Sequence, residues 1–374
     1  MIVIATHAVF LNGKDIYGPP HAVSLFLNKK KKEHFFIKHR LWGAGKIIVE
    51  HYKNGKLFKT WETGFGKRFP SVSQYVIEIF FTILICFKNS KKCELFIGVD
   101  PLNAMAGNIL KIFGKTKQVV YFSADFAKER FPNHLLNTIY LNLDYYSSIW
   151  SSVTWSVSKR IVEFRKEQGL LDEKNKLLPN APFFKDVKRL PYDEIKHHDL
   201  VIVSALERGI AFELLLDVLS ELKKKVRDAR LIFIGAGSYE GKLKEYVEKK
   251  DLKENTEFLG AKSHEDMFGI LVKCGIGIAL YENSDEKHFR YFSDPMKVRD
   301  YLASGLPVII SGNSSLGYEV NKEQIGKLVK LNKKEIVDAI LPLLLDEKLY
   351  KNMRNNAIKF AKKYDTFTLL EKYI

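Results

Sequence analysis

The chain has 374 residues, of which 46% are hydrophobic, 28% charged and 13% aromatic. That length suits two domains, each large enough to bury a core, and the aromatic content excludes a disordered chain. The net charge of +16 is uneven: residues 1–183 hold 27 Lys and Arg against 14 Asp and Glu, and residues 184–374 hold 33 against 30. A basic first half favours anionic partners such as phosphorylated substrates or anionic lipid. Nucleic acid is disfavoured, since no RNP-like strand, zinc spacing or basic helix is present. Cys86, Cys93 and Cys274 form no pair with metal-ligand spacing, and an odd count suits no disulfide framework. A cytoplasmic location is the expectation.

The first half alternates strand-like and helix-like runs. Ile2–Ala5 reads as a strand and is followed by a Gly18-Pro19-Pro20 loop and a helix over 21–28. Further strands are predicted at 35–38, 47–50, 57–61, 95–99, 119–122 and 153–157, with Asn54-Gly55 as a hairpin turn. Helices are predicted near 72–88, 102–113, 134–148 and 158–168. The run YVIEIFFTILICF at 75–87 is too short to span a bilayer and reads as a buried helix, capped by Ser71 or Ser73. Residues 184–198 are charged and aperiodic, as a linker would be. Alternation resumes with strands at 200–203, 230–234, 256–259, 275–281 and 307–311, and with helices at 212–225, 239–249 and 296–303. Two Rossmann-like α/β domains are the simplest architecture.

Several strand-to-helix junctions in the second half suit an anion, because helix N–H groups and the helix dipole face outward there. Ser204–Gly209 carries Arg208, whose planar fork suits a diphosphate. Gly235-Ala236-Gly237 allows close approach of a ligand or a neighbouring helix. Position 240 is Glu, so the dinucleotide fingerprint is incomplete and a nicotinamide cofactor is disfavoured. In Ser293-Asp294-Pro295-Met296-Lys297-Val298-Arg299-Asp300, Ser293 or Asp294 is placed to cap and Pro295 to occupy the first helical position. Asp300 follows on the same helix, placed for the hydroxyls of a ribose.

The run PMKVRDYLASGLPVII resembles the nucleotide-sugar-binding helix of retaining GT-B glycosyltransferases of group 1, family 4-like. The likeness extends over the second half, through SALERGIAFELLLDVL, LIFIGAGSYEGKLKEYV and NTEFLGAKSHEDMFGILVKCGIGIALY in that order. The first half resembles the family more loosely. The resemblance implies a GT-B fold: two Rossmann-like domains facing each other across a cleft, with a C-terminal helix crossing back. The implied divisions are an acceptor domain at 1–183, a linker at 184–198, a nucleotide-sugar domain at 199–355 and a crossover helix at 356–374.

It also implies site residues. Asp300 matches the second acid of the family's Glu-x7-Glu motif, while Phe292 stands where the first acid belongs. Asp294 or Glu282 are the candidates to replace that acid. Arg208 matches one of the two loop cations, and Ala205 stands at the other, leaving Lys297, Lys287 or Arg290 to supply the charge. Leu259-Gly260-Ala261 matches the stretch that reads the base. The donor set is therefore Ser204, Gly235, Gly237, Gly260, Ala261, Ser293, Asp294, Pro295, Met296, Lys297 and Asp300. Acceptor candidates are Gly18, Asp100, Asn103, Asp125 and Arg130, with Asp125 as the proton acceptor or, alternatively, a turn cap. Arg208 and Lys297 are placed on the leaving diphosphate. The implied reaction moves a sugar from a UDP- or GDP-sugar to a hydroxyl of a saccharide or lipid-linked acceptor, with no cofactor and no metal. The sequence has no Asp-x-Asp pair. An epimerase or phosphorylase of the same fold, or an inactive nucleotide-sugar-binding subunit, are the alternatives. Lys29–Lys32, Lys67, Lys91, Lys92 and Arg68 suggest peripheral contact with the anionic inner face of the cytoplasmic membrane.

Overall fold

The computed structural model describes residues 1–11, 14–41, 45–66, 71–89, 92–282, 287–312 and 315–374. The chain forms two compact units, Met1–Pro179 with Tyr373–Ile374, and Asn180–Lys372. The predicted division after residue 183 therefore falls after 179. The reason is local: Asn180 donates its backbone N–H to Asp294 (2.8 Å), Phe184 donates to Asp365 (2.9 Å), and Arg189 donates to the Ala303 carbonyl (2.7 Å). These bonds staple the stretch read as a linker onto the second unit. Residues 356–363 likewise belong to the helix Glu347–Lys363, which packs on Met296–Ser304 within that unit. Only Tyr373 and Ile374 join the first unit, where the Tyr373 hydroxyl donates to the Leu177 carbonyl at 3.0 Å.

The first unit is built on an eight-stranded sheet. Its strands run in the order Asn175–Leu177, Val153–Ser156, Thr116–Ser123, Cys93–Val99, Ile2–Ala8, His34–Arg40, Lys46–Lys53, Lys56–Gly64. The first six are mutually parallel, and the last two form the hairpin signalled by Asn54-Gly55. Chain order reverses between Ile2–Ala8 and Cys93–Val99. In parallel α/β sheets, ligands bind beyond the carboxyl ends of the strands at such a point. Helices Ser71–Asn89, Pro101–Ile112 and His134–Trp150 pack side by side.

The helix Ser71–Asn89 differs from its expected buried character. Its polar residues Gln74, Glu78 and Thr82 are buried, while Val76, Phe80 and Phe87 are exposed. Positions 74, 78 and 82 recur every four residues and so share one helix face. That face is turned inward because His7 and His39 need polar partners there, as described below.

The second unit holds a six-stranded parallel sheet. Its order is Thr256–Phe258, Arg230–Ile234, Lys196–Val203, Cys274–Ala279, Val308–Ser311, Gly326–Val329. The helix Met296–Ser304 is bolted onto this sheet by Tyr301. The Tyr301 hydroxyl accepts from Val203 N–H (2.7 Å) and donates to the Ile278 carbonyl (3.3 Å). Gly277 makes this possible, since a Cβ there would meet the Tyr301 ring at 2.4 Å. Gly305 closes the helix in the left-handed conformation at φ +85°, as its sequence predicts.

Candidate functional site

The second unit brings Arg290 and Lys297 together over one ring, with Arg208 on an adjoining loop. Gly209 is the organiser. Its carbonyl accepts from Arg290 (3.0 Å) and from the backbone N–H of Glu282 (3.2 Å), and Ile210 bridges Tyr281. The loop that bears Arg208 is thereby tied to the segment that bears Arg290. The Arg290 guanidinium and the Lys297 ammonium both sit over the Tyr281 ring, 5.5 and 5.2 Å from its centroid. Such contacts partly stabilise cations that have given up solvent. Arg208 is exposed and forms no ion pair among the described residues. Lys297 still reaches solvent, yet burial first, and repulsion from Arg290 second, lower its pKa to about 7.

The same helix supplies a buried acid. Asp300 is almost fully buried and lies 3.4 Å from His264, long for a hydrogen bond. Its Oδ1 has no hydrogen-bond partner among the described residues. Burial raises its pKa, only partly offset by His264. A buried, unsatisfied carboxylate oxygen costs free energy unless a ligand supplies a donor. Met296 opens the helix after Pro295, with no side-chain cap, so its first N–H groups are open to an anion. Pro295 is thus the capping position rather than the first helical residue. Gly260 has φ +69° and open space around its Cα, which leaves Gly260 and Ala261 accessible.

Two parts of the predicted donor set have other tasks. Asp294 neither caps the helix nor stands free for a sugar. Its carboxylate accepts from Arg299 (2.8 to 3.1 Å) in a buried setting and from Asn180 N–H (2.8 Å) in a part-buried one. It braces the 179–182 turn against the helix. Gly235 and Gly237 admit protein rather than ligand: a Cβ would fall 1.8 Å from Ser204 O and 2.3 Å from Leu206 O. They let the 204–206 loop lie against the 235–238 loop, where Glu207 accepts from Ser238 (2.6 and 2.8 Å). Ser293 spends its hydroxyl on Arg290 O (2.9 Å), and Ser204 N–H is taken by Ile234 O (3.0 Å). Phe292 is buried, so its position holds packing and not charge.

The first unit carries a second polar centre, at the carboxyl ends of its strands. Asp100 caps the helix Pro101–Ile112 through Asn103 N–H (3.0 Å), and the Asn103 amide donates to its other oxygen (2.8 Å). His7, at the end of the first strand, bonds Asp100 through Nδ1 (2.6 Å) and Glu78 through Nε2 (2.7 Å). Gln74 donates to the remaining Glu78 oxygen (2.9 Å). Burial alone would lower the His7 pKa, but Asp100 and then Glu78 outweigh it and lift it to about 10. The ring is therefore an imidazolium held by two carboxylates. Burial, then the charge of His7, lowers neighbouring His39 to about 4, and His39 bonds Thr82 instead (2.8 Å). Asp100 has φ +85° and ψ 163°, a region used almost only by glycine and costing roughly 1–3 kcal/mol. The neighbouring hydrogen bonds hold the carboxylate in place against that strain.

The other predicted acceptor residues lie apart from this centre or beside it. Asp125 is half exposed and pairs with Arg130 at 2.7 Å, so it does not cap a turn. Gly18 caps the helix Pro19–Lys29, its N–H donating to His21 Nδ1 (3.0 Å). Lys67, Arg68 and Lys91 lie outside the described residues. Sequence reasoning missed His7, Glu78 and Gln74. The signal that would have found them is a histidine closing the first strand of a Rossmann-like sheet, opposite an acid and amides spaced by four.

These features define the GT-B glycosyltransferase fold, and comparisons with known proteins agree. Residues 194–360, most of the second unit, match the family model "Glycosyl transferases group 1". A 126-residue stretch is 32% identical to chitobiosyldiphosphodolichol beta-mannosyltransferase of Candida glabrata, covering 32% of this chain and 26% of that protein. The chain thus matches about a quarter of the length of this curated relative. Among solved structures, HepE of Anabaena in complex with UDP superposes with TM-score 0.69 at 13% identity, covering 100% of this chain and 97% of that one. WaaG, a glycosyltransferase involved in lipopolysaccharide biosynthesis, gives 0.65 at 13% identity, covering 100% and 98%. Sucrose-phosphate synthase of Thermosynechococcus elongatus gives 0.70 at 14%, covering 98% and 95%.

Proposed function

We propose that the chain transfers a sugar from a nucleoside diphosphate sugar, UDP- or GDP-linked, to a hydroxyl of a saccharide or lipid-linked acceptor. The carrying observation is Asp300 Oδ1, buried and unsatisfied on a helix whose uncapped start bears Lys297. A ribose diol supplies the donors that Asp300 lacks, and a diphosphate supplies the anion that Lys297, Arg290 and Arg208 lack. The open space beside Gly260 and the exposure of Ala261 leave room for the base. As the sugar leaves, negative charge grows on the diphosphate. In this reading Lys297, Arg290, Arg208 and the helix N–H groups meet that charge, as fixed dipoles and charges lower a barrier.

On the acceptor side, Asp100 and Asn103 stand at the point where strand order reverses, with His7 and Glu78 as positioning residues. Asp125, oriented by Arg130, accepts a hydroxyl proton or holds a sugar hydroxyl. Retention of anomeric configuration is the course that the resemblance suggests. The buried Phe292 favours one second reading, a nucleotide-sugar-binding subunit without turnover, because no acid stands there to grip the sugar. A thermal-shift series with UDP, GDP, ADP and CMP tests the donor half of the proposal. Stabilisation by UDP or GDP and not by CMP is expected, and no shift with any of the four contradicts it. Release of nucleoside diphosphate from a UDP- or GDP-sugar separates transferase from inactive binder.

A further inference from the structure

The short helix His264–Leu271 packs against the helix Met296–Ser304, which bears the buried acid Asp300. The register of the short helix decides what meets that acid. Met267 and Leu271 lie in the same buried core as Val298, Tyr301 and Leu302, and Phe268 packs on that core. Positions 264, 267, 268 and 271 share one face of an α-helix. His264 therefore takes the first place on the core-facing stripe, where an apolar residue is the norm. It does not start the helix. Ser263 does that, its hydroxyl accepting from Asp266 N–H (3.1 Å). The acids that follow, Glu265 and Asp266, are exposed.

Two contacts hold the imidazole. It meets the Phe268 ring in a T-shaped arrangement, centroids 4.9 Å apart, and its Nε2 faces Asp300 Oδ2 at 3.4 Å. The nearby cations are committed elsewhere: Arg299 pairs with Asp294 (2.8 Å), and Lys297 lies over Tyr281 (5.2 Å). Among the described residues the ion-pair partner of Asp300 is thus His264. Nε2 serves a carboxylate only when it carries a proton, as the Nε2–H tautomer or as the imidazolium. The arrangement spends Oδ2 on the imidazole and leaves Oδ1 without a partner among the described residues. It also opposes burial, which drives Asp300 toward the neutral acid. An ionised carboxylate accepts at both oxygens, whereas a protonated one turns one of them into an O–H donor.

We propose that His264 is a positioning residue for ribose recognition: it holds Asp300 by Oδ2, keeps Oδ1 for a sugar hydroxyl, and so makes the site selective for ribonucleotides over nucleotides that lack those hydroxyls. His264 acts through Asp300 and not on the nucleotide. A leucine at 264 would fill the apolar stripe and pack against Phe268, so the imidazole serves the acid rather than the fold. The proposal rests on the donor reading above and adds to it the residue that sets the state and direction of the ribose-binding acid.

The test is isothermal titration of the full chain, as wild type, His264→Leu and His264→Gln, with UDP and GDP and with their 2′,3′-dideoxy counterparts. Whichever base wild type takes, it should bind the ribonucleotide ~10-fold or more tighter than the dideoxy compound, as hydrogen bonds to a charged group allow. His264→Leu should lose most of that preference while binding the dideoxy compound as wild type does, which also shows that the variant is folded. His264→Gln, whose amide can donate in place of Nε2, should keep most of the preference. In an Asp300→Asn background, His264→Leu should cause no further loss of preference, because the two residues act as one unit. A merely structural role would weaken both compounds by the same factor and leave their ratio intact. That result, or unchanged affinities in His264→Leu, overturns the proposal. Wild type that binds the two compounds alike also overturns it, while the diphosphate half of the donor reading stands. Wild type that binds neither UDP nor GDP overturns the donor reading and this proposal with it.

Discussion

Lys297 and His7 are both displaced far from their ordinary pKa values, and their shifts have opposite signs. Lys297 titrates at about 7 in the empty protein, so it loses its charge as pH rises past neutrality. A bound diphosphate favours the ammonium and draws a proton in. Nucleoside diphosphate affinity should therefore fall between pH 7 and 9, with proton uptake visible as a buffer-dependent enthalpy. Lys297→Met should bind more weakly at pH 7 and lose most of that pH dependence. Equal pH slopes for the two proteins would remove Lys297 from the diphosphate site.

His7 has its pKa raised, to about 10. Its contribution to stability is fully present below its unfolded value of about 6.5 and is lost as pH rises through the folded value. Glu78 and Asp100 have theirs lowered, so their share is present above the ordinary carboxylate range and lost as pH falls. The difference in melting temperature between wild type and His7→Gln should therefore be large near pH 6 and shrink toward pH 10. A difference that stays constant over that range contradicts a doubly paired imidazolium. The comparison must be between the two proteins, because Lys297 gives wild-type stability an opposite trend between pH 7 and 10.5.

At the scale of elements, the helix Met296–Ser304 was legible in the sequence and its fittings were not. Pro295, Gly305 and the apolar spacing announce where it starts and stops. That Tyr301 reaches across to Val203 and Ile278, and that Gly277 clears the way, depends on residues 20 to 100 positions apart. Gly277→Ala should cost at least the ~1–3 kcal/mol typical of overpacking and shift this helix, read as a lower midpoint in chemical unfolding together with weaker nucleotide binding. A stable variant with intact binding would show that the helix is not held this way. The same limit explains Gly235 and Gly237. The sequence announces that something approaches these backbones, and only the fold reveals the approaching group as a neighbouring loop. Asp294 is parallel: its place before a helix suggests a cap, but Arg299, five residues on, and Asn180, far away in sequence, claim it first. In the helix Ser71–Asn89, apolar content read as burial was misleading. Periodicity of the few polar residues, 74, 78 and 82, was the better guide to which face turns inward.

Across the whole molecule, the uneven charge noted in the sequence takes on structure. The basic excess lies in the first unit, where three helices bury their acids and leave lysines beside exposed aromatic side chains. The near-neutral second unit instead concentrates cations locally, around Tyr281 and the start of one helix. Both units place their polar residues beyond the carboxyl ends of parallel strands, as open α/β sheets do. Fold class was thus readable from alternation and resemblance, while the His7–Glu78–Asp100 centre was not, because its members come from three separate elements. The central claim is that the second unit binds a nucleoside diphosphate through Lys297 and Asp300. Isothermal titration of UDP and GDP into wild type and Asp300→Ala at pH 7 tests it most directly. Wild type should bind one of the two at a single site, and Asp300→Ala should lose affinity by ~10-fold or more, as expected when a buried hydrogen-bonded acid is removed. Equal dissociation constants for the two proteins, or no heat with either nucleotide, would contradict the account.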